Sequence, residues 1–165
     1  MSSSIVYHAY TTSYKGLSNR LINDIELESN GSIVNSIAQW DTGASNTCIS
    51  EETAKRLSLV PTGMIQVNTP SGKIICYTYL IDILFPNNVT IKDVKVTGTK
   101  IGSQGIDVLI GMDVITLGDL AVSNYNGATT FSFRIPSKEK TDYVKEINIQ
   151  NIISKKHGSG KRKKK

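Results

Sequence analysis

The chain has 165 residues, of which 39% are hydrophobic and 20% are charged, as expected for one soluble globular domain with a substantial core. Its formal net charge is +5, but seven of its 19 basic residues lie in the last eleven positions. The other 154 residues carry 12 basic and 14 acidic side chains, so the positive charge belongs to a tail. This distribution argues against a folded surface that binds nucleic acid.

The residues that most often bind metals are few and scattered. Two cysteines, Cys48 and Cys76, and two histidines, His8 and His157, lie in unrelated stretches. Two cysteines are too few for a cysteine-only zinc site, so we expect reduced thiols, no metal and no cofactor. The chain has no apolar window near the ~18 residues that span a bilayer, and it begins without the pattern of a signal peptide. We therefore expect a cytoplasmic protein without membrane insertion.

The first part of the chain predicts strands. Residues 5–10 form a short β-like patch, which we expect to pair at a sheet edge or a subunit interface. Residues 21–28 and 33–40 are both rich in strand-forming residues, and an Asn-Gly turn lies between them. This pattern predicts a β-hairpin, and it places Asp41 where the second strand ends.

Asp41 opens the sequence Asp-Thr-Gly-Ala. Gly43 predicts a tight reversal of the backbone, because a residue without Cβ adopts dihedral angles that other residues avoid. Thr42 adds a hydroxyl beside the carboxylate, whereas Ala44 and Ser45 are small enough to let another segment approach. A bare Asp-Thr-Gly tripeptide is compatible with any Asx turn, so its meaning depends on its surroundings.

The region after this turn predicts a helix and then a long hairpin. Ser50 is the expected N-cap of a helix that ends near Pro61. Residues 64–67 and 73–85 form two β-rich arms, and residues 89–97 alternate as a further strand. The polar tip of the hairpin consists of Thr69, Pro70, Ser71 and Gly72. A long hairpin of this kind is able to close over a cleft.

The last third of the chain contains a second short motif. Residues 106–115 read as a core strand that ends at Gly111 before a short helix, which we expect Asp113 to cap. Residues 120–124 and 129–135 predict a third hairpin, and residues 141–154 are compatible with helix or strand. The Gly-, Ser- and Lys-rich residues 155–165 predict disorder.

Taken in order, these features resemble the retropepsin-like (retroviral-type) aspartic protease family, in particular its cellular and bacterial members. The features are Asp-Thr-Gly-Ala after a hairpin, a Gly-tipped hairpin, and Leu-Ile-Gly-Met-Asp at 109–113, and the resemblance covers about residues 20–135. It implies an all-β acid protease barrel with one or two short helices, one lobe per chain and a homodimer. We place the domain at residues 1–136, a C-terminal extension that packs on the domain or the dimer at 137–154, and a disordered basic tail at 155–165.

The resemblance also implies an activity and its residues. Two copies of Asp41, one from each subunit, would activate water to hydrolyse a peptide bond in a peptide or protein substrate. The two carboxylates would share a proton, because neighbouring carboxylates do not both ionise. Supporting roles are implied for the loop residues Thr42, Gly43 and Ala44, for the flap residues Thr69, Pro70, Ser71 and Gly72, and for Leu109, Ile110 and Gly111 behind the loop.

Other classes of function stay open at this point. The main alternative is a non-catalytic, dimeric peptide- or protein-binding module with the same fold, although an intact Asp-Thr-Gly argues against it. A nucleophilic hydrolase would need a histidine near its Ser or Cys, and His8 is the only candidate. Nucleic-acid binding would depend on the tail alone, so we do not expect that partner. The apolar residues that would line substrate pockets or belong to the core are Ile65, Ile74, Ile81 and Val108.

Overall fold

The computed structural model describes residues 5–69, 72–101 and 105–159. The described part contains ten strands, three α-helices and a short 3₁₀ helix at Tyr125–Gly127. The strands are β1 (His8–Ser13), β2 (Leu21–Ser29), β3 (Ser32–Trp40), β4 (Cys48–Ser50), β5 (Gly63–Thr69), β6 (Gly72–Phe85), β7 (Val89–Thr99), β8 (Val108–Ile110), β9 (Asp119–Ser123) and β10 (Thr130–Ile135). The helices are α1 (Glu51–Arg56), α2 (Met112–Ile115) and α3 (Tyr143–Ser159).

Six strands close into a barrel. Their order is β2-β3-β8-β4-β7-β6, and β6 pairs back with β2 through residues 82–84. Strand β5 lies outside this ring, since it pairs with the first half of the long strand β6. The predicted all-β barrel is therefore confirmed, and the β5–β6 hairpin projects from it.

The first predicted hairpin is present with its register intact. Strands β2 and β3 pair from Leu21 opposite Trp40 to Ser29 opposite Ser32. Asn30 and Gly31 form the two-residue turn, with φ of 49° and 79°. Positive φ at both positions matches the twist of the flanking strands, which is why Asn-Gly favours this hairpin.

A second sheet, with strand order β1-β10-β9, covers one side of the barrel core. Its strand β1 begins at His8, three residues later than expected, and it pairs with β10 in antiparallel register. A cluster of buried aromatic rings joins the sheet to the barrel, and the rings of Trp40 and Phe133 lie 4.8 Å apart. The cluster consists of Tyr10, Trp40, Phe85, Phe131 and Phe133. Trp40, the residue before Asp41, is therefore held in the core.

Helix α1 begins as predicted, but it is shorter than predicted. The Ser50 side chain accepts a hydrogen bond from the Thr53 N–H and caps the helix. The helix ends at Arg56, because Ser58 adopts a left-handed conformation with φ of 51°. That conformation terminates a helix before Pro61 is reached.

The C-terminal part of the chain forms α3, a helix of 17 residues. We had expected only one or two short helices in the whole domain. The helix runs to Ser159, so residues 155–159, for which we expected disorder, are helical. Lysine is a good helix former and its charge suits a helix C-terminus, which accounts for the difference. All side chains from 143 to 155 are exposed in the single chain, and packing of this extension stays a prediction. No helix in the described ranges is long and apolar enough to cross a membrane.

A hydrogen-bonded carboxylate fastens the chain after β10 to β9. Asp119 accepts two hydrogen bonds from Arg134, over 3.0 and 2.6 Å, and one each from the Ser137 hydroxyl and the Lys138 N–H. These bonds, led by that of Ser137, lower the pKa of Asp119 from 3.8 to about 2. The charged form of Asp119 is therefore the one that stabilises this corner.

We expect Asp119→Asn to lower the urea midpoint of unfolding at pH 7, because asparagine cannot carry the charge that these donors favour. Since the pKa of Asp119 is lower in the folded chain, its stabilisation is present above pH 4 and disappears as the pH falls through about 2. The difference from wild type should thus shrink between pH 4 and pH 2. Glu26→Gln, at an exposed strand position, is the control. A midpoint difference that does not change with pH would contradict this account.

Candidate active site

The loop that carries Asp41 is attached to two neighbouring strands of the barrel. Asp41 directly follows β3, whose last residue, Trp40, pairs in parallel with Ile110 of β8. The Asp41 N–H donates to the Ile110 carbonyl over 2.9 Å. The Asp41 side chain is partly buried. Two strand ends therefore fix where this carboxylate leaves the sheet.

The turn after Asp41 closes on the carboxylate itself. The Gly43 N–H donates to Asp41 Oδ1 over 2.8 Å, and the Ala44 N–H donates to the Asp41 carbonyl over 3.2 Å. A Cβ at Gly43 would lie 3.1 Å from Asp41 Oδ1. Gly43 does not have a positive φ, so our expectation of a special backbone conformation was wrong; the position requires space. Thr42 is exposed at the outside of the turn.

The first residues of α2 hold the next part of the loop. The Met112 N–H donates to the Ala44 carbonyl over 2.8 Å, and the Asp113 N–H donates to the Ser45 carbonyl over 3.3 Å. The N–H groups at the start of a helix have no partner within the helix. Here these N–H groups donate to carbonyl groups of the Asp41 loop, so the helix start and the loop supply each other's hydrogen-bond partners.

Thr47 and Asp113 form the centre of this arrangement. Asp113 accepts from the Thr47 N–H over 2.9 Å and from the Thr47 hydroxyl over 2.7 Å. The same hydroxyl accepts from the Gly111 N–H over 3.1 Å, and Thr47 is fully buried. Asp113 is not the N-cap residue, as we had expected, because Gly111 occupies that position. Its Oδ1 does accept a hydrogen bond from one N–H group of α2, that of Val114, over 2.9 Å. The carboxylate therefore bonds both to the loop and to the start of its own helix.

Gly111 lies where the loop and β8 come closest. A Cβ at this position would lie 2.6 Å from the Asn46 carbonyl carbon and 2.9 Å from the Thr47 nitrogen. Only glycine fits between two backbone segments at this separation. The preceding motif residues belong to β8, where Ile110 is fully buried and Leu109 is partly buried opposite Cys48.

Cys48 adjoins the same loop. Its thiol is 3.6 Å from the Asn46 carbonyl oxygen. Burial, mainly, raises the pKa of the Cys48 thiol, and the nearby acids Asp113 and Asp41 act in the same direction. A thiol in such surroundings stays protonated at neutral pH and is a poor nucleophile. This arrangement argues against cysteine chemistry at the loop.

Two of the four expected flap residues, Thr69 and Gly72, lie at the described ends of the β5–β6 hairpin. Thr69 pairs with Gly72, which has φ of 118°, while Pro70 and Ser71 lie outside the described residues. Among the described residues, the hydrogen bonds that hold the Asp41 loop come from β7, β8 and α2. A flap that closes over Asp41 therefore stays a prediction.

Of the apolar residues considered for substrate pockets, two belong to the core. Ile81 is 2% exposed and Val108 is fully buried, so neither faces a cleft. Ile65 and Ile74 lie on one face of the β5–β6 hairpin, together with Cys76. The role of Thr47 was missed, because its partner Asp113 is 66 residues away and a single sequence does not reveal such a pair.

The Asp41 carboxylate is partly buried and accepts a hydrogen bond from the Gly43 N–H, and its loop is held by the ends of β3 and β8 and by α2. The described residues contain no cluster of His, Cys, Asp and Glu that could hold a metal ion.

The fold and this loop define the class: the architecture is that of retropepsin-like aspartic proteases. The sequence model of the gag-polyprotein putative aspartyl protease family matches residues 25–116, and the chain belongs to that family. The matched region includes both the Asp41 loop and the Gly111 motif. The comparison with curated protein sequences gave no match.

Solved structures align with this chain, among them the following three. A retropepsin-like aspartic protease from Rickettsia conorii aligns with a TM-score of 0.51 and 15% identity, over 81% of this chain and 98% of its own. The EIAV protease complexed with the inhibitor HBY-793 aligns with a TM-score of 0.45 and 18% identity, over 62% and 89%. The retroviral protease-like domain of Ddi1 from Leishmania major aligns with a TM-score of 0.41 and 17% identity, over 66% and 91%.

We expect Gly111→Ala to destabilise the chain by about 3 kcal/mol, because its Cβ would overlap the backbone at Asn46 and Thr47. The free energy of unfolding in urea measures the change. The matched control is Gly16→Ala, since a Cβ at Gly16 would meet nothing within 4 Å. Equal stability of the two variants would show that the loop and β8 are not in close contact.

Proposed function

We propose that this chain is an aspartic endopeptidase that hydrolyses peptide bonds with a pair of Asp41 carboxylates, one from each subunit of a homodimer. The observation that carries the proposal is the fixed position of Asp41, at the end of β3, with the Gly43 N–H on its Oδ1. A chain with one Asp-Thr-Gly loop contains one such carboxylate, so the reaction requires a second copy.

The chemistry divides between the two carboxylates. With two carboxylates in contact, one is ionised and the other keeps a proton, because both charges together are unfavourable. The ionised carboxylate would take a proton from the attacking water, and the protonated one would donate to the carbonyl oxygen of the scissile bond. No bound metal or cofactor takes part in this scheme.

The remaining motif residues would position the loop, the dimer partner or the substrate and would take no part in proton transfer. Thr42, exposed at the turn, would bond across the two-fold axis; Ala44 and Gly111 would keep the loop attached to α2 and β8. The hairpin tip of Thr69, Pro70, Ser71 and Gly72 would close over the substrate and exclude water. We also propose that the protein acts in the cytoplasm.

The direct test is cleavage of unfolded proteins and of a peptide library by wild type and by Asp41→Asn. Asparagine keeps the shape of aspartate but neither carries its charge nor shares its proton, so we expect a loss of about 10³-fold or more in kcat/KM. Mass spectrometry of the products also identifies the preferred residues. A pepstatin-type inhibitor should block the wild-type reaction.

Two further measurements make this test decisive. Asp93→Asn, at an exposed position of β7, is the control for loss of one carboxylate elsewhere. Circular dichroism and sedimentation should show that Asp41→Asn folds and assembles like wild type. Peptide binding without cleavage by a dimeric wild-type protein would contradict the proposal and favour the non-catalytic binding module.

A further inference from the structure

A cleft of about 940 Å³ lies beside the β5–β6 hairpin, and Asp41 is not among the residues that line it. One wall is α1 together with the two residues Ser58 and Leu59. The opposite wall is the first half of β6, and the end of β7 forms the floor. The cleft is therefore separate from the loop described above.

The β6 wall of this cleft is a strand edge. Strand β5 pairs with residues 72–78 along one edge of β6, and β7 begins to pair with the other edge only at Thr78. Within the described ranges, no strand pairs with that second edge between Lys73 and Tyr77. An unpaired edge offers backbone N–H and C=O groups to an extended peptide, which adds as another strand.

The side chains around this edge are large and apolar. Ile75 is 76% exposed and Tyr77 is 54% exposed, although both are residues that proteins usually cover. Tyr79 packs on Gly98, where a Cβ would lie 3.0 Å from its ring. Burial, followed by the proximity of Tyr77 and Glu51, raises the pKa of the Tyr79 hydroxyl. Ile75, Tyr77 and Tyr79 all line the same cleft.

The charges at the cleft indicate which charged side chains a bound peptide would carry. Two of the residues that line the cleft, Lys55 and Lys100, are basic, whereas Glu51 is the one acidic residue among them. Both lysines are exposed, and the ion pairs of the described residues involve other cations, Arg56 and Arg134. A bound segment with acidic side chains would complement this excess of positive charge.

We propose that this cleft is a second peptide-binding site, in which an extended segment with alternating apolar and acidic residues adds to the free edge of β6. The bound segment belongs to a polypeptide substrate, at a distance from the bond that is cut, and in this respect the inference rests on the proposed function. Binding itself does not involve Asp41.

The test uses the full-length Asp41→Asn chain, so that the probe is not hydrolysed. The probe is a fluorescein-labelled peptide of alternating valine and glutamate, and its affinity is measured by fluorescence anisotropy. A peptide in which lysine replaces glutamate is the matched probe. We expect the glutamate peptide to bind at least about tenfold more tightly than the lysine peptide.

Variants of the cleft locate the binding. Lys55→Glu combined with Lys100→Glu reverses the charge, and Tyr77→Ala removes part of the apolar wall; each should weaken the affinity for the glutamate peptide about tenfold. The controls are Lys92→Glu on β7 and Tyr125→Ala, which is 81% exposed and lies outside the cleft. The controls should bind the probe as the parent chain does.

The outcomes separate this inference from the proposed function. If peptide binding depends on the cleft but the wild type cleaves no substrate, the result supports peptide binding at the cleft and not the proposed protease activity. Absent binding, or equal binding to all variants, would overturn it even if the wild type is a protease. If the cleft variants instead change the oligomeric state in sedimentation, the face is a contact between copies, and the inference is also overturned.

Discussion

The candidate site depends on the bonds between a buried threonine and a carboxylate that follows a different strand. Asp113 binds both the N–H and the hydroxyl of Thr47, and the same hydroxyl accepts from the Gly111 N–H. A buried polar group without a partner costs free energy, so these bonds are made together or not at all. They join the loop of Asp41 to the end of β8 and the start of α2.

Much of the fold was predictable, because local patterns coincide with tertiary pairing in most of the chain. The Asn30-Gly31 turn predicts its hairpin, since positive φ at both positions suits few other residues. The cap at Ser50 was predictable for a similar reason, as its side chain satisfies a nearby N–H. The three-residue strand β4 was not, because it exists only through pairing with β7 and β8.

The candidate site was predictable in part. The residues around Asp41 and Gly111 are adjacent in sequence to strand-like runs, and their order resembles a family pattern. The partner of Asp113 was not predictable, because it lies 66 residues away and no local rule prefers it to a helix cap. The end of α1 at Arg56 depends on the left-handed conformation of Ser58, which serine seldom adopts. The helix at residues 155–159 shows that composition alone is a poor guide to order beside an existing helix.

The central claim is that two chains share one reaction centre, and a mixing experiment tests it most directly. Wild type and Asp41→Asn are mixed in equal amounts, allowed to exchange subunits, and assayed for cleavage at constant total protein. If both carboxylates are needed, only wild-type homodimers act, and the activity per total chain falls to about a quarter of that of pure wild type. If each chain acts alone, the mixture retains about half, and that result would contradict the account.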